Sequence, residues 1–338
     1  MPQTITALFP SNIALVKYWG KKGNQLPCNA SLSLTLSQAQ TEVKLYCTEK
    51  KAQNASLDYL FEGQAHQAFG ERVLRYARQQ PEFAGLLQTY DLRFESRNTF
   101  PHSAGIASSA SAFAAIATAL LKATGKPESD SDFHREASRL ARLGSGSACR
   151  SFYRPFAQWG HLEGLPDSSN EFAIPVTEIH DNFRQLKDTI LIVEDAPKKV
   201  SSSVGHGLMK DHPFADSRFV QANNHCMEMI SVLKNGDFEA FISITEREAL
   251  SLHAMMMTSG NYYLLIKPDT VRIIEQVFQF REATGLPLCF TLDAGPNVHL
   301  LYPENIQDKV QPFLEHYLQQ YGLKSVIDDQ AGVGGEIN

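Results

Sequence analysis

Polar and apolar residues alternate in SLSLTLS at 31–37, and in part in TEVKLY at 41–46, so the two segments predict the arms of a hairpin. The Ala-rich stretch from Ala107 to Ala123 is dense in strong helix formers and closes before Gly125 and Pro127, which predicts a helix. HREASRLARL at 134–143 predicts a second helix, with SGSACRS directly after it. DTILIVE at 188–194 reads as a short buried strand, and a second half of the chain begins there. Helical patterns follow at about 217–235, 237–251 and 268–284. The apolar run CFTLDAG then turns at Pro296 and Asn297 into VHLLY. Strands and helices mix without regular βαβ spacing, so the expected class is α+β. The terminal DQAGVGGEIN is expected to be loose at its end.

The 338 residues are 43% hydrophobic and 20% charged, enough for a sizeable core divided over about two domains. A net charge of −6 with no basic block excludes nucleic acid as a partner. A small anionic ligand is still compatible, because a few cations in a cleft outweigh a weak global field. No apolar run reaches membrane-spanning length, and the first residues lack the pattern of a signal peptide. Cys28, Cys47, Cys149, Cys226 and Cys289 are scattered without zinc-binding spacing, which suits a reducing, cytoplasmic setting.

Four segments carry candidate chemistry. NTFPHSAGIASSASAF at 98–113 is a run of small residues leading into a helix, whose first N–H groups and positive dipole end attract anions. Ser108, Ser109 and Ser111 offer hydroxyl donors there, although a tight helix contact would need the same small residues. The Gly-Lys-Ser/Thr ending of a Walker A loop is absent. NIALVKYWGKKGNQLP at 12–27 sets Lys17, Lys21 and Lys22 among Tyr18, Trp19 and apolar residues; it is either a phosphate site or a solvated basic turn. RLGSGSACRS at 142–151 predicts a flexible loop with the hydroxyls of Ser145 and Ser147 and the planar fork of Arg150. Cys149 has no histidine nearby in sequence to activate it, and packing is its expected role. In LDAGPNVHLL at 292–301, Asp293 ends an apolar strand, as a turn cap or as a carboxylate that orients or deprotonates a hydroxyl.

Taken together, in this order along the chain, KYWGK, SLSLTL, the Gly/Ser loop, GSGSACRS and DAGPN resemble the diphosphomevalonate decarboxylase branch of the GHMP kinase superfamily. The Gly/Ser loop is shared with the kinases at large, and KYWGK with SGSACRS and DAGPN is more specific to the branch. The resemblance implies the GHMP kinase fold, with an N-terminal ribosomal-S5-like half (1–187), a C-terminal ferredoxin-like half (188–338) and a cleft between them. It implies ATP with Mg2+, mevalonate 5-diphosphate as substrate, and isopentenyl diphosphate, ADP, phosphate and CO2 as products. Asp293, Lys17 and Arg150 take the catalytic positions. Asn12, Tyr18, Lys21, Ser145 and Ser147, with Arg150, take substrate positions; Ser96, Asn98, Ser108, Ser109 and Ser202 take nucleotide-side positions. The magnesium ligands are not readable, and a homodimer is left open.

Thr99 and His102 depart from the usual Asn-x-x-Pro-Thr motif, and the turn after Lys22 is shorter than in many relatives. Two rivals stand beside the main expectation. One is an enzyme of the same branch that phosphorylates mevalonate without decarboxylation or acts on the monophosphate. The other is an inactive member that senses a sugar or nucleotide.

Overall fold

The computed structural model describes all residues except 1–2, 51–55, 102–105, 196–201, 321–322, 333–334 and 338. β1 (Gln3–Val16) leads into a small hairpin of β2 (Lys21–Lys22) and β3 (Leu26–Pro27), and β4 (Ser31–Glu49) returns antiparallel along β1. β5 (Leu57–Phe61), β6 (Gln64–Ala65), α1 (Gln67–Arg78), α2 (Ala84–Thr89) and β7 (Tyr90–Asn98) follow. α3 (Ser108–Ala123) and α4 (Phe133–Gly144) form a layer against this sheet, ahead of β8 (Phe156–Trp159) and β9 (Ala173–Pro175). The rest comprises α5 (Asp181–Arg184), β10 (Leu186–Ile192), α6 (Ser202–Gly207), α7 (Ala215–Asn235), α8 (Phe238–Thr258) and α9 (Pro268–Thr284). β11 (Cys289–Leu292), β12 (Val298–Pro303), α10 (Gln307–Gln320), β13 (Ser325–Gln330) and β14 (Glu336–Ile337) complete it.

Two sheets result. The first runs β14-β1-β4-β7-β5-β6, with β8 and β9 attached through β4; the second runs β11-β12-β10-β13. The architecture is α+β, as expected. Two large core clusters each stay within one half, and a third joins the halves, packing Ile13, Leu32 and Phe156 of the first sheet with Ile190 and Leu301 of the second, and with Met229 of α7 and Phe241 of α8. Shared burial of this kind fixes the orientation of the two sheets, and with it the cleft.

The five predicted helices fall within a few residues of expectation, apart from α8, which runs seven residues past its expected end at 251; α1, α2, α5, α6 and α10 were not predicted. α3 shows why composition located a helix that periodicity did not: 13 of its 16 residues are buried, so no polar face exists to set a period. The expected hairpin at 31–46 is corrected. Both segments belong to the single strand β4 and pair with the same partner, Pro10 standing opposite Gln40 and Asn12 opposite Thr35. The surplus residues form a large bulge, which the sequence offered as a turn because polar residues interrupt the alternation there. The carboxylate of Asp329 accepts the amides of Ser37 (2.7 Å), Gln38 (2.8 Å) and Ala39 (2.7 Å), satisfying donors the bulge would orphan. The tail is also corrected. β13 pairs with β10, and in β14 Ile337 stands opposite Ala7 of β1.

Candidate active site

β1 points Asn12 and Ala14 to one side, and its end delivers Lys17 beside them. The Lys17 ammonium donates to the Ala14 carbonyl at 2.5 Å and lies 3.5 Å from Asp293 Oδ1. Burial lowers the pKa of Lys17, and the negative charges of Asp293 and Glu248 oppose that shift. The Lys17 backbone amide donates to Glu248 Oε2 at 2.8 Å. Glu248, on α8 and fully buried, also accepts from Arg218 Nη1 at 3.0 Å and pairs with His225 Nδ1 at 2.6 Å. Burial alone would raise its carboxyl, but His225, Arg218 and the Lys17 amide hold it below the usual range.

Arg150 is buried, its Nε donating to Asn12 Oδ1 at 3.3 Å and its Nη1 to Ser31 Oγ at 2.5 Å. Asn12 donates in turn to the Ser147 carbonyl (3.2 Å) and Ser151 Oγ (2.9 Å), so its amide orients the arginine and its loop. That loop is not flexible, contrary to expectation: residues Gly146–Phe152 form a 3-10 helix, buried at all but Ser147. Its glycines serve close packing. A Cβ on Gly144 would fall 1.9 Å from the Phe113 ring, and one on Gly146 would fall 2.8 Å from the Tyr18 hydroxyl. Burial pushes the Cys149 thiol up to about 12, which removes it as a nucleophile.

Asp293 follows β11 directly, and its side chain is 26% exposed, enough to meet a ligand. His253 Nε2 holds the Asp293 carbonyl at 3.1 Å. Asn297 Oδ1 accepts the amides of Val193 (2.8 Å) and Glu194 (3.0 Å), so the turn after Asp293 is tied to the end of β10.

These groups converge on one cavity of about 360 Å³, whose lining includes Asn12, Lys17, Tyr18, Lys21, Ser109, Ser145, Ser147, Arg150 and Asp293. Lys22 faces a separate groove. A second cavity of about 240 Å³ takes in Ser96, Asn98, Ser108 and Ser109 beside the rings of Tyr59, Phe61 and Phe69. Ser109 and Arg72 border both. Among the described residues no side chain caps the start of α3, where Ala107 adopts a left-handed φ of 42°, which leaves the first helical amides for a ligand. The aromatic walls fit a nucleotide base, and the helix start fits its phosphates. Ser111 is corrected: it is buried, shares a 2.7 Å hydrogen bond with Thr41 Oγ1 and lines neither cavity. Thr99 ties β7 to the bulge by donating to the Gln38 carbonyl at 2.5 Å. Ser202 opens α6; its side chain, and all of His102, lie outside the described residues. Among the described residues no group of three or more His, Cys, Asp or Glu gathers into a metal site. A divalent cation here would be held by nucleotide phosphates with hydroxyls such as that of Ser109.

Sequence reasoning did not identify Arg72, His206, Glu248 or His253. Arg72 lies on α1, outside every motif, and donates to the Gly144 carbonyl at 2.9 Å with its guanidinium 4.6 Å from the Phe113 ring centroid. Only a three-dimensional arrangement shows Arg72, Glu248 and His253, whereas His206 lies in the small-residue run SSSVGHG at 201–207, four residues after Ser202.

A diphosphomevalonate decarboxylase-like N-terminal domain model matches residues 9–170, and a mevalonate 5-diphosphate decarboxylase C-terminal domain model matches residues 189–333. The diphosphomevalonate decarboxylase of Ganoderma lucidum is 32% identical over 98% of this chain and 87% of its own. The structure of mevalonate diphosphate decarboxylase from Staphylococcus aureus is 30% identical, with a TM-score of 0.86 over 100% of this chain and 98% of that one. MDDEF in complex with MVAPP, AMPPCP and magnesium is 30% identical, with a TM-score of 0.85 over 100% and 99%.

Proposed function

The chain belongs to the diphosphomevalonate decarboxylase family, and from that membership and the paired cavities we infer that it converts mevalonate 5-diphosphate and ATP to isopentenyl diphosphate, ADP, phosphate and CO2. Its fold is that of the GHMP kinases. The observation that carries the reading is the joining of the Lys17–Asp293–Arg150 cavity to the aromatic-walled cavity at Ser109 and Arg72. A phosphoryl donor in one and an alcohol in the other meet at that seam.

Asp293 accepts the proton of the 3-hydroxyl as that oxygen attacks the γ-phosphorus, and the bond from phosphorus to ADP breaks. Lys17 spreads the negative charge on the transferring group. Phosphate then leaves the tertiary carbon with its electron pair. The pair of the bond to the carboxylate becomes the alkene, and CO2 departs. Arg150, oriented by Asn12 and Ser31, aligns that carboxylate. Lys21, Ser145 and Ser147 hold the diphosphate tail, with the ring of Tyr18 as a wall of the site; Ser96, Asn98, Ser108, Ser109 and Ser202 attend the nucleotide. Magnesium bound with the nucleotide supplies positive charge at its phosphates.

The division into residues 1–187 and 188–338 belongs to the same proposal, with β14 returning to the first half. So does a cytoplasmic setting, supported by five unpaired thiols. Among the described residues no helix is long and apolar enough to cross a membrane. ADP release measured with mevalonate, its 5-phosphate and its 5-diphosphate tests the activity. The diphosphate is expected to give the highest kcat/KM, and preference for another of the three overturns the substrate assignment.

A further inference from the structure

His206 stands near the end of α6, its ring packed against Tyr18 (centroids 4.2 Å apart) and Trp19 (4.8 Å). Only 9% of the residue is exposed, and it borders the larger cavity. The Gly20 backbone amide donates to Nδ1 at 3.1 Å. An amide can only donate, so Nδ1 keeps its lone pair and the neutral ring carries its proton on Nε2. Among the described residues Nε2 has no hydrogen-bond partner, and unlike Tyr18 Oη and Trp19 Nε1 it is not sealed from open space. Burial, with Lys21 and Arg150 nearby, drops the ring's pKa to about 3, so the neutral form is the working one.

We propose that the Nε2–H of His206 donates a hydrogen bond to the diphosphate tail of the substrate, which makes His206 a specificity-determining residue for that tail. The inference rests on the larger cavity accepting mevalonate 5-diphosphate. That cavity already holds Lys17, Lys21, Arg72 and Arg150. A fifth cation would repel the others whenever the site is empty, whereas a neutral N–H adds an anion contact without that repulsion. The Gly20 amide fixes both ring orientation and tautomer before the ligand arrives, so little ordering is left for binding.

Two substitutions separate the two edges of the ring. In His206→Asn the amide oxygen can replace Nδ1 for Gly20, but nothing reaches the Nε2 position. In His206→Gln the longer amide can return a donor to that position. Affinity for inorganic diphosphate is measured by calorimetry with the nucleotide site saturated by a non-hydrolysable ATP analogue. KM values for mevalonate 5-diphosphate and ATP come from ADP release. His206→Asn is expected to weaken diphosphate binding and raise the substrate KM about 10-fold, the size of a lost hydrogen bond to a charged group, with the KM for ATP and kcat little changed. His206→Gln is expected to recover most of that loss. Equal diphosphate affinity in the parent and His206→Asn overturns the proposal. So does a His206→Gln as weak as His206→Asn, because the Gly20 contact would then explain both. The 15N shift of His206 Nε2 in the parent is a reading free of folding defects: it moves when diphosphate is added, and a fixed shift overturns the proposal. A parent inactive on mevalonate 5-diphosphate, together with a His206→Asn loss for inorganic diphosphate, would sink the substrate assignment and leave the anion contact standing.

Discussion

Lys17 and Asp293 face each other at 3.5 Å across the cleft, a 2%-exposed ammonium from the first sheet against a carboxylate from the turn after β11. An ammonium so buried depends on its counter-charge to stay protonated, and the counter-charge is also the base assigned to the substrate hydroxyl. The carboxylate therefore helps set the working state of the lysine.

Asp293→Asn keeps the shape of the side chain and removes its charge. It is expected to lower kcat by about 10²- to 10⁴-fold, the range of a positioned base, and to lower the pKa of Lys17 further. Substrate affinity should change little, since Lys21, Ser145, Ser147 and Arg150 remain. ADP-release turnover and calorimetry check both parts; near-normal turnover would remove Asp293 from the role of base.

Arg150→Lys is expected to lower turnover about 10- to 100-fold, equivalent to about 1.4–2.7 kcal/mol. An ammonium cannot hold Asn12 and Ser31 and align a carboxylate at the same time, as the planar guanidinium does. Full activity in single-turnover assays would assign the carboxylate to another group.

Ser109→Leu places an apolar branch where the two cavities join. Loss of a donor and of close approach to the α3 amides should raise the KM for ATP about 10-fold. A KM for ATP equal to that of the parent would mean that the start of α3 is a packing surface only.

His253 makes stability depend on pH. Burial first, and Lys17 in addition, lower its pKa from 6.5 to about 4 despite the nearby Asp293. Between those values the unfolded chain binds a proton that the folded chain refuses. Stability from this group is therefore full above pH 6.5 and falls as pH drops toward 4, by at most about 1.4 kcal/mol per pH unit. His253→Gln keeps an N–H for the Asp293 carbonyl and should flatten that slope in urea titrations across the window. A slope identical to that of the parent would place its origin elsewhere; His206 is the next candidate.

The chemistry was legible in the sequence wherever residue type and neighbours already limit the geometry. Lys17, Arg150 and Asp293 sit beside small residues or at the end of an apolar run, and each lines the larger cavity. Helices α3, α4, α7, α8 and α9 were legible because composition, stops or period mark them, whereas α1 and α10 were not read from the sequence. What escaped depends on partners far along the chain. Alternation could not show that β4 continues through its bulge, since the groups that satisfy Ser37, Gln38 and Ala39 come from Asp329. Likewise Glu248 is a glutamate in an ordinary helical pattern until α8 carries it to the Lys17 amide. The glycines around Ser145 suggested freedom, whereas Phe113 and Tyr18 crowd Gly144 and Gly146 and require the missing Cβ.

The pairing of β14 with β1 bears on the order in which the chain can be completed during synthesis. A ribosome releases Gln3–Val16 long before Glu336–Ile337, yet they are neighbours in one sheet. Until residues 329–337 emerge, the edge of β1 at Ala7 and Leu8 is uncovered, and the bulge in β4 lacks the Asp329 carboxylate. The first half expressed alone would carry both defects permanently. It would also expose Ile13, Leu32 and Phe156, whose shared core with α7 and α8 is then missing, so residues 325–338 supplied as a separate peptide should not by themselves restore its soluble yield.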